Sequence, residues 1–382
     1  MKAKAIKGKS SEEIKVELLN CTKDDFQPTL AIVFPSISQD RESICELLDA
    51  NGISIFGATT NGEFINDERD ADSTAIILLD INPQYFTLFF DEFQHGNYSE
   101  VAESIANKSL EKFQNPAFLV AGSNFNTDAE EIISGLENVL GKEANIFGGM
   151  AGDNYSFTDQ FVFTNKRSSN NGILTLVLDE NKIQIKGRAT HGWKAVGTPK
   201  TVTKSEGNHV YMVDDIPVLD LTRKYGGLDE LKVGSAGSVE ELAAIAANFP
   251  LQLQREKGAP VMRPGLRIDW QDGSFYCGGK VPQGSQVRFS LPPDFDVIEK
   301  VVDGLKELKE NEIPEADAVI VFSCAGRQMS LGPMIDDEIK GIYEVWNAPM
   351  AGFFSNGEIA RATDGNNDLH NLTACCVVLK EK

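Results

Sequence analysis

Two tripeptides near opposite ends of the chain carry the same side chains, Asn61-Gly62-Glu63 and Asn356-Gly357-Glu358. Asn and Gly give the backbone the freedom a sharp turn needs, which accounts for two of the three positions. The glutamate is left over. It can cap neighbouring backbone amides, or it can meet a ligand ammonium group through charge-assisted hydrogen bonds. Asp153 and Asn154, in GGMAGDN, repeat the pattern more loosely.

A second candidate follows the apolar run DAVIVF, where Ser323, Cys324, Ala325, Gly326 and Arg327 stand at the end of an expected strand. Ligands commonly sit at strand ends in open sheets, and small residues let backbone approach them closely. Arg327 can grip a carboxylate in bidentate fashion, so Arg327 and Glu358 together would suit an amino-acid zwitterion. The competing reading makes Cys324 a small core residue and Arg327 half of an internal ion pair. His191 and Trp193 offer an imidazole beside an indole, which suits either an amphipathic pocket or ordinary core packing.

The elements that must position these residues alternate along the chain. Strands are expected at 30–34, 53–56, 75–79, 118–120, 173–178, 183–188, 287–290, 319–322 and 374–379. Many are continuous apolar runs, as strands buried on both faces require. Helices are expected from Ser38, from Thr127 with Glu130 completing a capping box, from Ser238 with Glu241 doing the same, and from about residue 293 after Pro292 and Pro293. The fold class is therefore mixed α and β (α+β), with mixed sheets covered by helices.

The chain also repeats itself. TLAIVFPSI, a helix, SIFGATTNGEF and STAIILL near the start match DAVIVFSCA, a helix, PMAGFFSNGEI and TACCVVL near the end, with a looser copy from AFLVAGSNF to ANIFGGMAGDN between them. Each unit reads strand, helix, strand, Gly-rich turn, strand. Such units bury their apolar faces only by packing together, so two pseudo-symmetric lobes are expected, with the turns meeting at one cleft.

These motifs, with HGWKAVGTPKTVTKSEGNHVYMVDDIPVL from His191, FYCGG at 275–279 and FSCAGR at 322–327, resemble the FIST domain (F-box and intracellular signal transduction). The resemblance covers nearly the whole chain. It implies a FIST N-terminal domain over 1–215 and a FIST C-terminal domain over 216–382. It further implies a bacterial sensory protein that binds a small ligand such as an amino acid. No kinase, chemotaxis, cyclase or F-box signature adjoins the match, so output is expected through a separate signalling protein. The candidate ligand-binding residues are Asn61, Glu63, Asp153, Asn154, His191, Trp193, Cys324, Arg327, Asn356 and Glu358. Alternatives are a ligand-free interaction scaffold and an enzyme with Cys324 as nucleophile and His191 as its base.

Composition narrows the field. With 36 basic against 57 acidic residues, a net charge of -21 disfavours nucleic acid and anionic membrane as partners. The six cysteines form no CxxC pair, which suits a reducing cytoplasm. The four histidines stand apart from one another, so no metal is expected. Walker A, GxGxxG and GxSxG motifs are missing, and no cofactor is expected.

Overall fold

The computed structural model describes residues 1–123, 126–226 and 248–382. The first unit runs β1 (Lys2–Gly8), α1 (Ser11–Cys21), β2 (Leu30–Pro35), α2 (Arg41–Ala50), β3 (Ser54–Ala58), the hairpin β4 (Glu63–Ile65) and β5 (Glu68–Asp70), then β6 (Thr74–Asp80). The second repeats it as β7 (Phe86–Glu92), α3 (Tyr98–Lys112), β8 (Pro116–Gly122), α4 (Ala129–Leu140), β9 (Ile146–Met150), β10 (Val162–Phe163), β11 (Ser168–Ser169) and β12 (Gly172–Asp179).

The third unit opens with β13 (Ile183–Thr190) and is then interrupted by an inserted sheet. That insert contains β14 (Ala195–Glu206), β15 (His209–Val213), β16 (Ile216–Pro217), α5 (Val218–Gly226), β17 (Leu251–Leu253), β18 (Val261–Arg263), β19 (Gly265–Asp269), β20 (Ser274–Cys277) and β21 (Gln286–Ser290). The unit resumes with α6 (Asp296–Asn311), β22 (Ala318–Cys324), α7 (Ala325–Leu331), α8 (Ile335–Trp346), β23 (Met350–Ser355), the hairpin β24 (Glu358–Arg361) and β25 (Asn367–His370), and β26 (Ala374–Glu381).

The class is mixed α and β, as expected. All the expected strands are present, and the apolar runs of β2, β8 and β22 are buried along their whole length. The repeated segments at the two ends and the middle of the sequence are these three units. In each, a parallel pair (β2 with β3, β8 with β9, β22 with β23) is extended by an antiparallel strand from the end of the unit and one from its beginning.

The hairpins do not stay in their own sheets. β4 pairs with β23 of the third unit, β24 with β9 of the second, and β10 with β3 of the first, so each unit lends its hairpin to another around a closed ring. The inner faces of the three sheets share one core, where Phe34, Phe322 and Phe353 meet with centroids 4.7–6.1 Å apart. Helices cover each outer face around separate apolar clusters. The insert has its own cluster.

Hairpin exchange explains several glycines. A Cβ on Gly57 would lie 2.3 Å from the ring of Phe163 on the incoming β10, and one on Gly352 would lie 2.5 Å from the ring of Phe64 on β4. Each aromatic lies across a host strand with no side chain beneath it.

Helix starts differ from the sequence expectation. Asp40, not Ser38, caps α2 by accepting from the Ser43 N–H, while the Ser38 hydroxyl faces Asp72. Asp128, not Thr127, caps α4, because Thr127 turns its hydroxyl back to the Ser123 carbonyl. Glu130, expected to complete that cap, instead holds Arg263 and the Lys280 N–H of the insert, at 2.8 and 2.7 Å. An acid at the second position of a helix serves whichever donor is nearer, and here the insert supplies it. The helix expected near 293 begins at Asp296, and the Ser238–Glu241 helix lies outside the described residues.

Candidate functional site

The structure gathers the predicted site residues into two adjoining clusters. The first lies where the hairpins cross. Asn61 is buried; its Nδ2 donates to Asn356 Oδ1 at 2.8 Å and to the Phe354 carbonyl at 3.2 Å. Its Oδ1 accepts from the N–H groups of Asp153 and Tyr155. Asn356 then donates to the Ala151 carbonyl, so two carboxamides tie all three units together. Gly152 is glycine because a Cβ would sit 2.4 Å from Asn61 Nδ2. Asn154, at φ 54°, reaches Ser36 and Asp72.

The acids of these turns are held internally. Glu63 accepts from the Thr60 hydroxyl and from both the hydroxyl and N–H of Ser73, and Glu358 accepts from the hydroxyls of Ser355 and Thr373 at 2.7 Å. Burial raises the pKa of both, carrying Glu358 to about 8. Burial also opposes ionisation of Asp153, but the N–H groups of Asp159, Thr158 and Phe157 outweigh it and hold this acid below its usual range. Cys324 beside Glu358 is buried, and that burial, with the acid's charge, pushes its thiol up to about 12. Such a thiol is not poised for nucleophilic attack.

Arg327 is fully enclosed. Nε donates to Glu338 Oε1 at 2.8 Å, Nη2 bonds the other carboxylate oxygen, and Nη1 donates to the carbonyls of His191 and Leu372 at 2.6 and 3.0 Å. Its guanidinium also stands 5.1 Å from the Trp193 ring centre. Arg327 therefore fixes the strap from Ala189 to Trp193 to α8, and this strap begins the second cluster.

That cluster surrounds a cavity of about 190 Å³ between the third unit and the insert. The strap contributes Thr190, His191, Gly192 and Trp193; the insert contributes Ala259 and Pro260. Opposite them are Lys300 of α6, Ala362 and Thr363 from the β24–β25 turn, and His370 at the end of β25. Gly192 has φ +80° and packs against α6, where a Cβ would lie 2.8 Å from the Val297 carbonyl. The strap can pass so close to the helix only as glycine.

Two cavity side chains hold buried polar atoms without a hydrogen-bond partner: Trp193 Nε1 and His370 Nδ1, on residues 3% and 1% exposed. Leaving such an atom unmatched costs about 1–3 kcal/mol. The hydrogen bonds fix both imidazole tautomers. His370 Nε2 meets the Ala360 carbonyl at 3.1 Å and so carries the proton, leaving Nδ1 an acceptor. His191 Nδ1 accepts the Trp193 N–H at 3.0 Å, so its Nε2 is a donor. Burial and nearby cations, Arg327 beside His191 and Arg263 beside His370, lower both to about 3 and keep the rings neutral. Lys300 Nζ donates to the Gly192 carbonyl at 3.3 Å.

Of the residues singled out from sequence, His191 and Trp193 line this cavity and Arg327 braces it. Asn61, Glu63, Asp153, Asn154, Cys324, Asn356 and Glu358 form the crossing cluster instead. Lys300 and His370 escaped notice because neither belongs to a motif. Lys300 sits on an amphipathic helix, and His370 is an isolated histidine before a strand. Among the described residues, no group of three or more His, Cys, Asp or Glu side chains could hold a metal ion.

The fold is thus a mixed α and β ring of three repeats with an inserted sheet and a half-open cavity at their junction. The chain matches the FIST N domain over residues 29–216 and the FIST C domain over 228–361, and it belongs to the FIST family, whose domains are associated with sensory roles in signal transduction. No match was found among curated proteins. The two matched regions meet inside the insert, whose β15 and β20 pair across the division. No described helix is long and apolar enough to cross a membrane.

Proposed function

We propose that this chain is a small-ligand sensor whose ligand occupies the cavity between the third unit and the inserted sheet, and whose output passes through a separate signalling protein. The observation that carries the proposal is a cavity walled from both sides, by Thr190, His191 and Lys300 of the third unit and by Ala259 and Pro260 of the insert. A ligand there meets the Lys300 cation and the His191 ring. It also bridges Ala259 and Pro260 of the insert to Lys300 and Thr363 of the body, so occupancy favours one setting of the insert over others.

An amino acid gripped between Arg327 and Glu358 has less support. Both groups already have internal partners, and displacing Glu338 from Arg327 would strand a buried charge. Nucleophilic catalysis by Cys324 is disfavoured by its raised pKa.

Thermal unfolding against a panel of small metabolites tests the reading. A ligand at about a hundred times its dissociation constant adds roughly 2.7 kcal/mol of stability. Trp193→Phe, which keeps an aromatic ring but reshapes the cavity wall, is expected to cut that response sharply, judged against its own unliganded transition, which the lost core packing lowers. A panel without response in the parent protein would favour the ligand-free scaffold. A response unchanged by Trp193→Phe would place the site elsewhere.

A further inference from the structure

From the charge of this cavity and the donors open to it we infer that its ligand is a short-chain aliphatic monocarboxylate, seated with its two oxygens toward Lys300 and His191. The inference rests on the cavity being the ligand site and goes on to name the class of ligand.

Lys300 comes first, because no acid answers its charge. The acids four residues before it and three after it on α6 are Asp296 and Asp303, close enough along a helix to pair with it. Both are engaged elsewhere, Asp296 by Lys194 at 2.5 Å and Asp303 by Lys306 at 3.1 Å. The Lys300 ammonium instead donates to the Gly192 carbonyl at 3.3 Å, which holds it against the strap. Among the described residues, no aspartate or glutamate lines the cavity. A cation so placed draws an anion and repels a second ammonium group.

A second donor stands beside it. His191 precedes Gly192, and its Nδ1 accepts the Trp193 N–H at 3.0 Å, so the ring proton lies on Nε2. That Nε2–H has no hydrogen-bond partner among the described residues. His191 is only half-buried, whereas Trp193 and His370 have their unpartnered polar atoms sealed in the interior. Burial, with the charges of Arg327 and Lys300, keeps the imidazole neutral, so it donates without adding a charge of its own. An ammonium and an N–H side by side offer one donor to each oxygen of a carboxylate. One cation balances one negative charge, which favours a monoanion over a phosphate dianion.

Much of the remaining lining is apolar. Ala189, Ala259, Pro260 and Ala362 suit a hydrocarbon chain better than a further polar group. At about 190 Å³ the cavity is smaller than the roughly 300–1,000 Å³ of drug-sized sites, so that chain is short. The α-ammonium of an amino acid would meet Lys300 with no acid in the lining to receive it.

The test uses the full chain and four probes, butyrate, butyramide, 2-aminobutyrate and inorganic phosphate, with affinities read by isothermal titration. Butyrate is expected to bind most tightly, exceeding the amide by about tenfold or more, as loss of a charge-assisted contact implies. Lys300→Met should weaken butyrate about tenfold and change butyramide by less than about threefold, and Lys300→Arg should keep most of the butyrate affinity. Lys300 is exposed, so both variants leave the core as it is. Equal affinities for butyrate and its amide, tighter binding of 2-aminobutyrate or phosphate, or a butyrate affinity untouched by Lys300→Met would each overturn the monocarboxylate assignment. Dependence of that binding on Trp193 would still leave the cavity as the ligand site. No binding by any of the four would also overturn the assignment, and the wider metabolite panel then decides whether the cavity binds anything.

Discussion

Glu358 shows how one residue type can serve opposite ends. Sequence offers a carboxylate in a turn, and an exposed one would be a ready ammonium ligand. The fold buries it against Ser355 and Thr373 and raises its pKa from 4.5 to about 8. The sign of the consequence follows. An unfolded glutamate ionises near 4.5 while the folded one keeps its proton to about 8, so stability from the neutral group is complete below about 4.5 and is lost as pH rises toward 8. Compared with Glu358→Gln, which cannot ionise, the parent protein should therefore lose denaturant resistance steadily from pH 5 to pH 8 and level off above that. Parallel curves for the two proteins would mean that Glu358 is already ionised in the fold. His191 and His370 act at the other limb: held neutral to about 3, they withdraw stability as pH falls below the ordinary histidine value of 6.5.

At the scale of elements, the glycines of the repeated motifs mark where one unit receives another's hairpin. Gly57 is the clearest case, since Phe163 is 1% exposed and its ring occupies the space a Cβ would need. Gly57→Ala is expected to cost roughly 1–3 kcal/mol by overpacking. Adding Phe163→Leu should return part of that loss, because the two changes relieve each other. Additive losses in urea unfolding would show that the ring does not rest on this glycine. The same elements show how much could be read in advance. Strand positions were legible because two-sided burial writes itself as runs such as AIVF and AVIVF. The three repeated units were legible for the same reason. Hairpin exchange was not, since EFI or VF carries no mark of which sheet it will join. Arg327 could be picked out as a candidate, but its partner Glu338 could not, because the helical stretch that carries it lacks a motif. His191 and Trp193 were legible as a pair. Lys300 and His370 come to them only through tertiary folding.

For the whole molecule, a set of ion pairs fastens the insert to the body beside the apolar seat of Met262. Arg263 reaches Glu130, Lys280 reaches Asp128 and Glu131, and Arg255 reaches Asp368, all between the insert and the body. Interfaces of this kind permit relative motion more readily than apolar ones. Arg263→Met removes the buried cation of this fastening and leaves Glu130 without it. Hydrogen exchange should then rise in β17 and β18 while β2 and β8 stay protected, because only the seat of the insert is loosened. Equal loss of protection throughout would show that insert and body unfold as one.

The ring of exchanged hairpins also governs the order in which the protein can be completed. β4 leaves the ribosome early, yet its partner Phe353 follows Glu63 only after most of the chain has been made. At about 5–20 residues per second, that pairing waits roughly 15–60 s. Throughout this interval β3 lacks β10, or β9 lacks β24, and each incomplete sheet presents an open edge on which another strand could add. No unit can be finished by its own residues: the first sheet closes when β10 and β11 arrive, and the other two close only late, when β23 and the strands after it are made.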